Sequence, residues 1–240
     1  MEAFILAAGL GTRLKPITDS VPKALVKIKG RPLLEILIRR LLADGFTDIV
    51  VNVHHFGEQI ISFLEENDNF GANIVISDER ECLLDTGGGL KKAAPFLHSN
   101  AFLIHNVDIL SGINLNEFMN FHLSGNYLAT LAVQNRISSR YFLFDENRIL
   151  CGWENVKSGK KIIVRQAEGE IKRFAFSGIH AINKECLGLL PDKEIFSIVE
   201  AYLSIAERHQ ITYFEHTDTL FLDLGKIDNL LEAEKIFSIK

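Results

Sequence analysis

The sequence predicts an α/β protein: a mixed, mainly parallel sheet flanked by helices, with a small antiparallel β lobe in its second half. Three observations predict it. Short apolar runs alternate with helix-period stretches through residues 1–125, the pattern of a right-handed sheet covered on both faces. The first of those runs, Phe4-Ile5-Leu6, empties straight into a basic loop with two glycines, and open parallel sheets take their ligands beyond the carboxyl ends of the strands. After residue 126 short strands follow one another across polar turns, as antiparallel hairpins do.

The loop, residues 6–18, reads Leu-Ala-Ala-Gly-Leu-Gly-Thr-Arg-Leu-Lys-Pro-Ile-Thr. Gly9 and Gly11 put no side chain in a ligand's way and accept positive φ, so backbone N–H groups can turn inward as an anion cradle. Arg13 adds a fork-shaped donor suited to phosphate oxygens, and Lys23 a compact mobile charge. Two other phosphate loops are excluded. Leu14 stands where a dinucleotide fingerprint has its third glycine, and no Gly-x4-Gly-Lys-Ser/Thr run exists.

The string Ala7-Ala8-Gly9-Leu10-Gly11-Thr12-Arg13-Leu14, with Pro16, Thr18 and Pro22-Lys23 at intact spacing, resembles the signature of the sugar-1-phosphate nucleotidyltransferases, the NDP-sugar pyrophosphorylases. That resemblance implies the nucleotide-diphospho-sugar transferase fold, with a Rossmann-like sheet. It also implies that Ala7, Ala8, Gly9, Gly11 and Thr12 wrap a nucleoside triphosphate. Arg13 would neutralise its phosphates, and Lys23 would lie between the α-phosphate and an incoming sugar phosphate, these two being the catalytic cations.

Beyond the loop, residues 24–28 read as extended. Gly30 turns the chain, and Pro32 suits the first turn of a helix carrying Leu33, Leu34, Leu37, Ile38 and Leu41, which Gly45 ends. Residues 49–53 form a second buried strand and 58–66 a second helix. His54 and His55 end that strand on opposite sides, which suits hydrogen bonding better than joint metal binding. Residues 72–77 give a third strand. A polar stretch then leads to Thr86-Gly87-Gly88-Gly89, opening a helix through Ala94. Glycines at a helix start mean that something approaches the backbone closely, either a ligand or a tight helix–sheet packing turn. The resemblance implies that base and ribose lie here, with Thr86, Gly87 and Gly88 as closest contacts and Glu79 in the base-reading place. The Asp-Thr-Gly-Gly-Gly form is most similar to the subgroup acting on N-acetylmuramate-1-phosphate and mannose-1-phosphate.

Residues 101–108 make a fourth strand ending in Asp108, and Asn114 caps the helix over 115–123. Asp108 resembles the family's Mg²⁺ ligand, although Val107 replaces the usual preceding glycine. Residues 127–133, 141–144, 149–153 and 162–165 are short strands. Arg140, Tyr141, Trp153, Glu154 and Lys157 offer sugar contacts from them, of which Glu154 is selected. Gly178, inside the strand over 173–182, marks a bulge or a close ligand approach. By resemblance, Asn106, Glu154 and Gly178 join Lys23 as the sugar-phosphate set. Pro191 closes a short helix, 195–207 is an amphipathic one, and 227–237 ends the chain. Asp223-Leu224-Gly225-Lys226 resembles the family's second metal segment, with Lys226 in place of threonine; a plain helix N-terminal carboxylate is the other reading of Asp223.

Size and charge agree. The 240 residues allow one domain with a full core, expected as a nucleotide-binding half (1–125) and a sugar-binding half (126–240). Without a hexapeptide repeat, no C-terminal left-handed β-helix is expected. A net charge of −5 argues against general nucleic-acid affinity, so the anion site must be local. Cys82, Cys151 and Cys186 are widely spaced and read as reduced thiols. With neither leader nor membrane-length apolar run, a cytoplasmic location is expected, with no membrane partner.

The expected reaction joins an NTP (UTP or GTP favoured) to a sugar-1-phosphate such as that of N-acetylmuramate, mannose or a heptose, with Mg²⁺ as cofactor and pyrophosphate released. The alternative is a non-catalytic sugar-nucleotide sensor. An NAD oxidoreductase would need an acidic ribose ligand where His54-His55 stands.

Overall fold

The structure is a computed structural model that describes residues 1–236; Phe237, the expected end of the last helix, lies outside the described residues. β1 (Glu2–Leu6) enters a loop of three short 3-10 turns, followed by a small ladder of β2 (Lys27–Ile28) and β3 (Arg31–Pro32). Next come α1 (Leu33–Ala43), β4 (Asp48–Val53), α2 (Gly57–Glu66), β5 (Asn73–Asp78), α3 (Asp85–Ala93) and β6 (Ala101–Asn106). β7 (Ile109–Ser111) and α4 (Leu115–Ser124) end the first half. The second half holds β8 (Ala129–Gln134), β9 (Arg140–Phe144), β10 (Leu150–Asn155), β11 (Lys160–Ile163) and β12 (Lys172–Asn183). It closes with α5 (Ile198–Ala206), β13 (Ile211–Glu215), β14 (Phe221–Asp223) and α6 (Ile227–Ile236).

Ten strands make one sheet in the order β11-β10-β9-β12-β6-β1-β4-β5, with β8 and β13 branching from β12. β6, β1, β4 and β5 are mutually parallel, and β12 joins β6 antiparallel. Strand alternation sends Ala3 and Ile5 to one face and Phe4 to the other. The first face packs on Leu34 and Ile38 of α1, Ile60 of α2, Phe118 of α4 and Leu230 of α6. The second packs on Leu90 of α3 and on Tyr202 and Ile205 of α5. The mainly parallel sheet covered on both faces is thus the one the apolar periodicity predicts.

The hairpins continue this sheet. β12 is long enough to pair with β6 through Ile179–Asn183 and with β9 through Lys172–Phe174, so one strand carries both halves. Several boundaries differ from expectation. Residues 23–25 form a 3-10 turn before β2, because the buried Ala24 and the Pro22 carbonyl close a tight bend instead of an extended run. β11 is shifted two residues back, its register set by Trp153 opposite Ile162. α5 begins at Ile198, since the Ser197 hydroxyl accepts the Glu200 N–H as its cap. Asn114 caps α4 as expected, accepting the Glu117 N–H at 3.0 Å.

One short ladder is absent from the sequence reading and matters most for the site. β7 pairs antiparallel with β14, setting Asp223 opposite Ile109. Arg40 of α1 donates to the carbonyls of Ser111 and Ile113 and so fixes the far end of β7.

Candidate active site

Two cavities of about 780 and 520 Å³ open at the carboxyl end of β1, β4 and β6, and both are lined by Arg13, Asn106 and Asp108. The smaller adds Gly9, Lys23, Glu79 and Thr86; the larger adds Gly178, Asp223 and Lys226. Another open cavity, about 640 Å³ between α1 and α2, is rimmed by Glu35, Glu58 and Glu66 against one lysine and offers an anion little.

The loop after β1 takes its shape from local bonds. Gly11 has φ +66°, and a Cβ there would lie 2.8 Å from the Thr18 methyl, so only glycine fits. Thr18 Oγ1 and Leu14 N both donate to the Gly11 carbonyl at 2.8 Å. Thr12 and Arg13 follow exposed, while Leu14 is buried as an anchor. The Ala7 and Ala8 amides are already engaged: both donate to Asn52 Oδ1, at 2.6 and 3.2 Å. The cradle open to a ligand is therefore narrower than residues 7–12, and begins at Gly9.

Asn52 also donates to Glu79 Oε1 at 2.7 Å, tying β4, β5 and the loop together. Glu79 is buried with Oε2 unpartnered, and burial pushes its carboxyl above the usual range. His54 Nδ1 lies 2.7 Å from the Glu79 carbonyl, the hydrogen-bonding role expected for it.

The acids and bases form two pairs. Lys23 Nζ bonds Asp108, both largely buried, and Arg13 Nη1 lies 3.6 Å from Asp223. Gly225 shows how closely the pairs converge. A Cβ built there would stand 2.5 Å from Arg13 Nη2, 2.9 Å from Asp223 Oδ1 and 3.1 Å from Asp108 Oδ2. Two backbone bonds fix this: Leu224 N donates to the Asp108 carbonyl at 2.8 Å, and Gly225 N to Asp223 Oδ1 at 2.9 Å. Residues 115 positions apart in sequence thus face one small space.

The glycines of α3 answer a different need from the one the resemblance implies. Gly87 N and Gly88 N both donate to the Phe196 carbonyl, at 2.9 and 3.1 Å, and a Cβ on Gly87 would lie 2.5 Å from the Phe196 ring. The close approach is made by the chain's own 194–196 segment, which is the packing reading of that turn. Thr86 lines the smaller cavity, its hydroxyl accepting the Ile198 N–H at 2.9 Å. Asp85, beside it with φ +59°, was missed; a non-glycine residue in that conformation at a cavity wall is a feature that only coordinates reveal.

On the larger cavity, Gly178 (φ +70°) sits at the register break between β12 and β8, with Asn106 so close that a Cβ would meet its amide at 2.7 Å. The bulge is present. Glu154 is outside this wall: it pairs with Arg173 at 3.3 Å, and strand alternation turns Trp153 inward in its place. Val107 is 5% exposed and packs into the core behind Asp108. Arg136 was missed as well, since an arginine in a loop carries no pattern. Its guanidinium stacks 4.2 Å over Phe221 and donates to the Phe176 carbonyl at 3.0 Å.

A cation-lined cleft at the carboxyl edge of a parallel sheet, with two carboxylates converging between two cavities, defines an enzyme class that handles phosphate esters. The comparisons agree. A family model described as Nucleotidyl transferase matches residues 2–143, and the chain belongs to that family. It is 28% identical over 240 residues to N-acetylmuramate alpha-1-phosphate uridylyltransferase of Neisseria meningitidis serogroup B, covering 98% of each chain. It is 39% identical over 136 residues to mannose-1-phosphate guanyltransferase of Gibberella zeae, covering 55% of this chain and 37% of that one. The fold matches the crystal structure of HddC from Yersinia pseudotuberculosis complexed with GMP-PN, with a TM-score of 0.78, 21% identity and 99% of both chains covered. No helix among the described residues is long and apolar enough to cross a membrane.

Proposed function

We propose that the chain transfers a nucleotidyl group from an NTP to a sugar-1-phosphate, releasing pyrophosphate and leaving an NDP-sugar. The observation that carries this is the shared wall: Arg13, Asn106 and Asp108 line both cavities, so a reactant in each meets its partner at those residues. The smaller cavity takes the nucleotide, with its phosphates over Gly9 and Gly11 beside Arg13. The larger takes the sugar against Gly178. UTP or GTP are the expected nucleotides, and N-acetylmuramate-, mannose- or heptose-1-phosphate the expected acceptors.

The donor set fits a divalent cation. Among the described residues no cluster of three or more metal-ligating side chains occurs, but Mg²⁺ needs only one or two carboxylates when phosphates and water complete its shell. Asp108 and Asp223 would hold it, and when bound it supplies neutralisation between two anionic reactants. The protein's own groups do the rest. Lys23 exchanges Asp108 for phosphate oxygen, placing its charge between the reacting phosphates. Arg13 does the same from Asp223 toward the leaving pyrophosphate. A sugar-1-phosphate has its second pKa near ~6 and is already ionised at neutral pH, so its oxygen needs no general base. Positioning and charge stabilisation then suffice for a single in-line displacement at the α-phosphorus.

Pyrophosphate release from a matrix of the common NTPs against a sugar-1-phosphate panel, with and without Mg²⁺, tests the reading. Metal-dependent release with at least one pair is expected; tight nucleotide binding without turnover on any pair would favour a sensor instead. Gly225→Ala is a second check. Its methyl would push Arg13 and both carboxylates out of place, so kcat is expected to fall about 10²-fold. The thermal midpoint should move little, because the displaced groups border open space.

A further inference from the structure

We infer that the acceptor sugar carries a second anionic group, away from its anomeric phosphate, which Arg136 and Arg140 recognise. This rests on the proposed function and narrows its substrate class. Lys23 and Arg13, which serve the phosphates, each already have a carboxylate: Lys23 has Asp108 and Arg13 has Asp223. Arg136, Arg140 and Lys226 also line the larger cavity and make no ion pair with any described residue. Lys226 directly follows the Asp223-Leu224-Gly225 segment, whereas the two arginines come from the β8–β9 side of the cavity. The contrast with Arg173 is local. That arginine, on the neighbouring strand, is neutralised by Glu154.

Arg136 is held for use. It is half-buried, stacked on Phe221 and fixed through Nη2 to the Phe176 carbonyl, while its Nε is buried with no partner. The carboxylate whose charge reaches it is Asp223, which makes no ion pair with it and which the proposed function commits to the cation, so this partly desolvated guanidinium is left for an anion to complete. With Asp223 engaged by the cation, neutral hydroxyls satisfy donors but leave that charge uncompensated, so a neutral hexose is a poor match for this wall. Trp153, Phe176 and Val199 on the same cavity supply apolar surface for the body of a substituted sugar. The chemistry required is a carboxylate or a second phosphate, each able to take a planar guanidinium through two oxygens.

The test compares sugar-1-phosphates that differ in that group alone, by kcat/KM for pyrophosphate release with the preferred NTP and Mg²⁺. The pairs are N-acetylglucosamine-1-phosphate against its carboxyethyl ether N-acetylmuramate-1-phosphate, glucose-1-phosphate against glucuronate-1-phosphate, and glucose-1-phosphate against glucose-1,6-bisphosphate. The anionic member of at least one pair is expected to be preferred roughly 10- to 100-fold, the range of a charge-assisted bond. The pair that shows it separates carboxylate from phosphate. Arg140→Gln and Arg136→Lys are expected to shrink that ratio about tenfold or more, mainly through KM. Arg140 is exposed and its side chain bonds nothing else described, so its variant is safe for folding. Equal use of neutral and anionic sugars, or a ratio that both variants leave unchanged, overturns the inference while the transferase reading stands. Pyrophosphate release from no pair overturns both.

Discussion

Asp108→Asn is expected to lower kcat/KM for metal-dependent pyrophosphate release roughly 10²- to 10⁴-fold, the several kcal/mol that a bound cation contributes to charge stabilisation. Asparagine keeps the shape and removes one charge from a wall shared by both cavities. The loss has a second consequence. Lys23, which bonds Asp108 in the free protein, is released, and its charge becomes available to a triphosphate even without metal. Nucleotide binding in the presence of chelator should therefore tighten in Asp108→Asn while turnover collapses. A change confined to packing would move both in the same direction. Asp223→Asn is expected to lose comparable activity, and the double variant little more, because both acids serve one charge centre. Isothermal titration and pyrophosphate release on the three proteins settle the matter. Turnover that ignores chelator and survives loss of both acids would remove the site from consideration.

The sequence announces the basic loop, because Gly9, Gly11, Arg13 and Lys23 lie within one short stretch and their chemistry is local. Asp108 and Asp223 are linked in the sequence by the resemblance alone, as the family's two metal segments; their local chemistry leaves them as a strand-end acid and a helix N-terminal carboxylate. What joins them is β7 against β14, two three-residue strands too short to show alternation, held by an arginine of α1. Asn52 left a signal that went unused: a polar residue inside Val50-Val51-Asn52-Val53 must find partners, and it found the Ala7 and Ala8 amides and Glu79. Gly87 and Gly88 were ambiguous in principle. A glycine reports that something comes close, and whether that is a ligand or Phe196 depends on a segment about 110 residues away. Glu154 fell to the period of two, since a one-residue step on β10 exchanges cavity wall for the Arg173 side.

Buried histidines make the fold sensitive to acid well before its carboxylates titrate. His105 and His180 are fully buried, each with Nε2 unpartnered, and burial pushes both down to about 3. His180 uses Nδ1 with the Tyr202 hydroxyl, and His105 uses Nδ1 with the Asn106 carbonyl. A proton on either ring would leave a charged N–H with nothing to bond. Since the folded value is depressed, each histidine contributes stability that is complete above its unfolded value near 6.5 and drains away as pH falls toward 3. Each costs about 1.4 kcal/mol per pH unit in that window, so the step from pH 7.5 to 5.0 removes about 2 kcal/mol per residue. His216, pushed down to about 4, acts in the same sense. Glu79 acts against them, because burial raises its carboxyl and the folded state gains a proton there. Histidines outnumber it, so the urea midpoint is expected to fall steeply over this range. His105→Gln or His180→Gln should flatten the slope by about one proton each, even where the variant is less stable at pH 7.5. A midpoint that stays level down to pH 5.0 would mean that these rings find a proton-accepting partner on opening, and that the core tolerates their charge.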